Sequence, residues 1–115
     1  MKNILLEGFL QLNLSINPNQ IDLFQQFFDF YQESQKKMNL SSLLSEKDFA
    51  IKHVLDCAAA LSFFKNEAFI ADIGSGGGFP GVVLKILNPQ LKINLIEVVE
   101  KKVAYLKDLT QLLRL

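Results

Sequence analysis

The residues best suited to chemistry lie together in one short stretch: Asp72, then Gly74, Ser75, Gly76, Gly77, Gly78, Phe79, Pro80 and Gly81. Five glycines fall within positions 74–81 and leave the backbone bare where a ligand must come close. Glycine also permits the positive φ values that a tight strand-to-helix turn demands. A helix starting just after such a turn is expected to present free N–H groups to a polar ligand. Three ligand classes compete for the loop. A phosphate-gripping loop would end Gly-Lys-Ser/Thr, whereas this one ends Gly78-Phe79-Pro80-Gly81-Val82 and is rejected. A dinucleotide fingerprint can be written over Gly76, Gly78 and Gly81, but it starts two residues into the turn. The pattern Asp-x-Gly-x-Gly-x-Gly is met by Asp72, Gly74, Gly76 and Gly78 and matches an S-adenosylmethionine (SAM) site. SAM carries a sulfonium and an ammonium and no phosphate, so a carboxylate at the strand end attracts it and would repel a pyrophosphate. The plainer alternative is a glycine-rich turn that holds no ligand.

A second acid supports the cofactor reading. Leu91 to Glu97 alternates and then runs apolar, as a short strand covered on both faces would. Its last residue, Glu97, stands 23 positions after Gly74. In a strand–helix–strand unit an acid there faces a ribose and accepts hydrogen bonds from its hydroxyls. Alone it would be an ordinary solvated glutamate.

These residues must be positioned by a chain of 115 residues, enough for one small core. With 50% hydrophobic residues the chain is expected to fold, and its formal net charge of zero confines any nucleic-acid contact to a local patch. The single cysteine, Cys57, excludes an internal disulfide and fits a reducing cytosol. No His/Cys cluster suggests a metal, no targeting segment is expected at Met1–Leu6, and no apolar run reaches the roughly 18 residues of a membrane span. The first half reads as helical. Ile4, Leu5, Phe9 and Leu12 share one face; after Asn17-Pro18-Asn19, Ile21, Phe24, Phe27, Phe28 and Tyr31 follow at helical steps as a core-facing stripe. Residues 38–44 form a loop. Ser45 with Asp48 resembles a capping box for a helix carrying Phe49, His53, Leu55, Ala58, Ala59, Leu61 and Phe63. The second half reads as α/β: a buried strand at 68–73, the glycine loop, a helix to Leu87 ended by Asn88-Pro89-Gln90, a second strand, and a helix with Val103, Leu106, Leu109 and Leu113 on its apolar face. Two parallel strands make a poor sheet with one side exposed, so the chain is expected to be covered by a partner or to be the front part of a longer protein.

Taken together these residues resemble the N-terminal portion of the bacterial glucose-inhibited division protein B (GidB, RsmG) family of 16S ribosomal RNA (guanine-N7)-methyltransferases. The resemblance rests on Asp72 to Gly81 with its Phe-Pro-Gly ending, on Asn39-Leu40-Ser41, on Lys52-His53-Val54-Leu55-Asp56-Cys57, on Glu97, and on Lys101-Lys102 with Tyr105-Leu106. Ser34-Gln35 stand where the family carries Trp-Asn, Lys52 where it has arginine, Cys57 where it has serine, and Tyr105 where it has phenylalanine. The family's further strands are absent. The resemblance implies a Rossmann-like α/β fold, here its first half at 67–115, preceded by a helical subdomain at 1–66. It implies SAM as cofactor, 16S ribosomal RNA or the small ribosomal subunit as partner, and a cytoplasmic location. Asp72, Gly74, Ser75, Gly76, Gly78, Phe79 and Glu97 would hold the cofactor. His53 and Asp56, three apart, would face RNA or cofactor or pair to lock the helical part, and Lys101 and Lys102 would touch RNA phosphates or be a plain solvated helix start. No catalytic residue and no metal is expected. A non-catalytic remnant and a dinucleotide-dependent oxidoreductase remain the alternatives.

Overall fold

In a computed structural model the described residues are 1–38 and 44–115, so the Asn39-Leu40-Ser41 segment lies outside them. They form two compact units, Met1–Asp56 and Cys57–Leu115. This division falls ten residues before the 66/67 boundary read from the sequence.

The first unit is helical. Helix α1 (Lys2–Gln11) buries Leu5 and Phe9, while Leu12 of the expected face lies past the helix and is partly exposed. Helix α2 (Pro18–Lys37) starts on a full capping box: the Asn17 side chain accepts the Gln20 N–H at 2.8 Å, and the Gln20 side chain accepts the Asn17 N–H at 3.0 Å. Pro18 then opens the first turn, where its missing N–H is no loss. The aromatic stripe is the core of this unit. Phe24, Phe27 and Phe28 are buried, and the Phe27 and Phe28 rings each meet the Phe49 ring edge-on at 5.2 Å. Edge-on aromatic pairs contribute about 0.5–1.5 kcal/mol beyond their buried area.

The helix expected from Ser45 to Phe63 is broken into pieces. Ser45 caps a single turn, α3 (Glu46–Asp48), by accepting the Asp48 N–H at 3.1 Å. The chain then winds as a π-helix from Phe49 to Leu55, returns to α4 (Asp56–Ala58), and ends in a 3₁₀ turn at Leu61–Phe63. Phe63, the last residue expected on that helix, is 84% exposed.

The second unit is a strand–helix–strand element with one more helix: β1 (Phe69–Ile73), α5 (Gly81–Leu87), β2 (Lys92–Ile96) and α6 (Glu100–Leu112). The strands pair in parallel, with Phe69 opposite Lys92 and Ile73 opposite Ile96. A parallel pair requires a crossover, supplied by the glycine loop and α5. Helix α5 buries Val82, Val83, Leu84 and Ile86; α6 buries Leu106 and Leu109, with Leu113 just beyond. The sheet is covered on one face only. Ile70, Asp72, Ile93 and Leu95 point to the covered side, whereas Phe69, Ala71, Ile73, Lys92, Asn94 and Ile96 are exposed. This corrects the expectation of a buried first strand and of a second strand covered on both faces.

Candidate cofactor site

The glycine loop joins the end of β1 to the start of α5. Gly74, Gly76 and Gly78 hold φ values of +74°, +54° and +106°, which side-chain-bearing residues rarely adopt. A Cβ placed on Gly74 would meet nothing within 4 Å, and one on Gly76 only the Gly74 carbonyl at 3.8 Å. Glycine is therefore required there by backbone conformation, and the space beside these two residues is open. At Gly81 the reason is crowding. A Cβ would press on the Leu95 side chain and lie 2.8 Å from Asp72 Oδ2. The Phe79–Pro80 peptide is cis.

Asp72 does not stand at the rim. It is buried, and its Oδ2 accepts the Gly81 N–H at 3.0 Å, closing the turn from within. Burial raises its pKa, opposed by the Gly81 N–H and by Ser75. The Ser75 hydroxyl, also buried, donates to the Asp72 carbonyl at 2.8 Å. The loop's amides are likewise turned inward. Gly74 and Ser75 donate to the Ile96 carbonyl, Gly78 and Phe79 to the Ser75 carbonyl, and Val82 to the Gly78 carbonyl. Between Gly74 and Val82, only the Gly77 N–H has no such acceptor among the described residues. Of the N–H groups expected to be free at the start of α5, those of Gly81 and Val82 are taken, by Asp72 and by the Gly78 carbonyl. A loop with so few free donors is a poor cradle for phosphates, which need several converging N–H groups.

The accessible acid is Glu97. Its carboxylate accepts the N–H groups of Gly76 at 3.0 Å, Val98 at 2.9 Å and Val99 at 3.1 Å. The Val99 and Gly76 bonds lead in lowering its pKa, and the Lys102 charge adds to them. Glu97 thus links the two loops that follow the two strands, a contact within the protein that the ribose expectation did not include. Sequence reasoning gave Tyr105 no such part: its hydroxyl, from α6, donates to the Gly77 carbonyl at 2.8 Å. Nothing in residue spacing signals that contact, because it joins residues 28 apart through the crossover.

Phe79 is half-buried in the loop. Lys101 and Lys102 lie in the first turn of α6, Lys101 exposed and Lys102 half-buried. His53 lies in the π-helix of the helical unit, with Asp56 at its end. Burial lowers the His53 pKa, which Asp56 raises in part and Lys52 lowers further. The π winding bonds residues five apart, so the one-face argument for His53 and Asp56, built on α geometry, does not carry over. Among the described residues no group of His, Cys, Asp or Glu is arranged to hold a metal, and no helix is long and apolar enough to cross a membrane.

A family model described as rRNA small subunit methyltransferase G (GidB) matches residues 20–115. The chain is 35% identical over 112 residues to a ribosomal RNA small subunit methyltransferase G of Alkaliphilus metalliredigens, covering 96% of this chain and 47% of that protein. It is 37% identical over 116 residues to the same-named protein of Dictyoglomus thermophilum, covering 99% and 48%. A relative from Alkaliphilus oremlandii is 37% identical over 110 residues, covering 94% and 46%. The chain spans about half the length of the curated relatives it matches. With the family model matched over most of its length, and with the loop it was recognised by now seen as a built turn, the chain belongs to the GidB family of ribosomal RNA small subunit methyltransferases G.

Proposed function

We propose that this chain is the first half of a SAM-dependent, Rossmann-like methyltransferase acting on N7 of a guanine in 16S ribosomal RNA in the cytoplasm. The observation that carries the reading is the glycine loop itself. It offers open space at Gly74 and Gly76, few free N–H donors, and one accessible carboxylate, Glu97. That set suits a nucleoside bearing positive charge better than a pyrophosphate. It also weakens the oxidoreductase alternative, whose cofactor needs the amides this loop has turned inward.

Gly74, Ser75, Gly76, Gly78 and Phe79 would line the cofactor's place, with Glu97 on the ribose. Asp72 would act from beneath, by fixing the loop to Gly81. SAM would supply an electrophilic methyl group on its sulfonium. Guanine N7 has an in-plane lone pair and no proton to lose, so the protein needs no general base and we assign no catalytic residue. Its contribution is to hold the purine in line with the methyl, and orientation of this kind is worth about 7–11 kcal/mol. The target base must be exposed or turned out of its stack. Lys101, Lys102, His53 and Asp56 are proposed for RNA contact.

Calorimetric titration of the purified chain with SAM, S-adenosylhomocysteine and NAD tests the cofactor. Binding of the first two and not of NAD is expected; the reverse order overturns the reading. A second reading, that the 115-residue chain binds cofactor without catalysing, is favoured by the exposed apolar sheet face, where Phe69 and Ile73 are 79% and 80% exposed. Transfer of labelled methyl from SAM to small-subunit RNA by this chain alone would refute it.

A further inference from the structure

Glu97 makes more hydrogen bonds than an anchor for a ribose requires. Its Oε1 accepts the Gly76 N–H, and its Oε2 accepts both the Val98 and the Val99 N–H. An ionised carboxylate has about four acceptor sites, so three are in use and about one is left. A ribose presents two vicinal hydroxyls. If both are to bond this carboxylate, one protein N–H must give way.

The three N–H groups do not hold their places equally. Val98 and Val99 follow Glu97 directly, so the chain itself keeps their N–H groups beside the carboxylate. Gly76 is 21 residues away, in a glycine-rich turn whose Cβ side is nearly empty. Its neighbour is held independently, because Tyr105 donates to the Gly77 carbonyl. The loop can thus lose the Gly76 bond without losing its attachment to α6. Hydroxyl-to-carboxylate bonds are at least as short and strong as amide-to-carboxylate ones, so the exchange need not be uphill.

We propose that a vicinal diol displaces the Gly76 N–H from Glu97, so that Glu97 is a positioning residue that latches the glycine loop in the empty protein and unlatches it when a ribose enters. The unlatched loop then has two free amides side by side, Gly76 and Gly77, where the empty loop has one. The inference rests on the nucleoside reading above. It goes beyond that reading by making the loop respond to the number of sugar hydroxyls.

The test follows the amide resonances of Gly76, Val98 and Val99 in the full 115-residue chain during titration with adenosine and, separately, with 2′-deoxyadenosine. Saturation with adenosine should move the Gly76 amide proton upfield while Val98 and Val99 keep their downfield positions. With 2′-deoxyadenosine, which keeps only the 3′-hydroxyl of the vicinal pair and so fits the one open acceptor site, Gly76 should stay. In the Glu97→Gln variant the Gly76 amide should lie upfield before any ligand is added. If adenosine binds and Gly76 does not move, or if both nucleosides release it alike, the latch is overturned and the nucleoside reading stands. If neither nucleoside moves any resonance of the loop, both are overturned.

Discussion

The two units of this chain are held by different forces. The helical unit is held by packing: Phe9, Phe24, Phe27 and Phe49 are at most 1% exposed, and its rings meet edge to face. The α/β unit also has an apolar core, but its glycine-loop end, the candidate site, is held by single polar ties. Asp72 fixes Gly81, Ser75 fixes the Asp72 carbonyl, Glu97 fixes Gly76, and Tyr105 fixes Gly77. Packing is spread over many contacts, so it responds little to pH and is costly to breach. A polar tie is local and exchangeable with a ligand, and where a carboxylate makes it, as at Asp72 and Glu97, it is titratable. A site that must open to admit a cofactor is better served by the second kind.

The chain's own tyrosines allow the comparison to be tested. It has two and no tryptophan, and Tyr31 lies in one unit and Tyr105 in the other. Urea unfolding followed by tyrosine fluorescence therefore reports the helical unit in a Tyr105→Phe background and the α/β unit in a Tyr31→Phe background. The largest effect is expected for Phe49→Ala, which removes the ring that Phe27 and Phe28 pack against. It should destabilise the helical unit by about 3–5 kcal/mol. A loss below 1 kcal/mol would mean that packing does not hold this unit. Next is Gly81→Ala, whose new Cβ would crowd Leu95 and the carboxylate of Asp72. Overpacking of this kind costs about 1–3 kcal/mol, and the loss should appear in the Tyr105 signal. An unchanged midpoint there would show that the turn is looser than its hydrogen bonds suggest.

What the sequence disclosed follows the same division. The aromatic stripe of α2 was legible because packing against a core imposes a period, and Phe24, Phe27 and Phe28 keep it. The glycine loop was legible because positive φ demands glycine at Gly74, Gly76 and Gly78. The polar ties were not. Asp72 reads equally well as a rim charge or as an internal clamp until its side of the strand is known. Its step of two from Ile70 hinted at the covered face. The Asn17–Gln20 capping box lies in the sequence beside Pro18, which already marks a helix start and so hides the second signal. The π-helix at Phe49–Leu55 left no trace, because an apolar pattern of seven residues fits α and π winding alike.

Two smaller substitutions sharpen the contrast. Asn17→Ala removes one half of a capping box on an exposed turn and should cost the helical unit about 1 kcal/mol. Its effect should be confined to the Tyr31 signal. Ile73→Thr changes a residue on the open sheet face that is 80% exposed. A surface exchange that keeps the β-branch should shift the Tyr105 midpoint by no more than about 0.5 kcal/mol. A loss of 2 kcal/mol or more would show that this face is buried in solution, against itself or another copy.

The smallest effects, in pH, divide the two acids of the site from each other. The Glu97 pKa is lowered by N–H groups that bond its charged form. Its contribution is therefore fully present above the ordinary glutamate range and is lost as pH falls through the depressed folded value. Asp72 is the reverse. Burial raises its pKa, so the unfolded chain gives up this proton first as pH rises. The group favours the fold below the ordinary aspartate range, and that preference is lost as pH rises through the folded value. Whenever Asp72 is ionised its charge lies in a buried place, where the Gly81 N–H is its stabilising partner. Asp72→Asn keeps an acceptor for that N–H and removes the charge, so its stability relative to the parent should be most favourable at neutral pH and decline in acid. Glu97→Gln should behave in the opposite sense, least favourable at neutral pH and converging on the parent as the carboxylate protonates. Both curves come from urea midpoints in the Tyr31→Phe background between neutral and acid pH. Slopes of the same sign would mean that one acid has been assigned the wrong environment, and a flat curve for Glu97→Gln would remove the tie on which the latch depends.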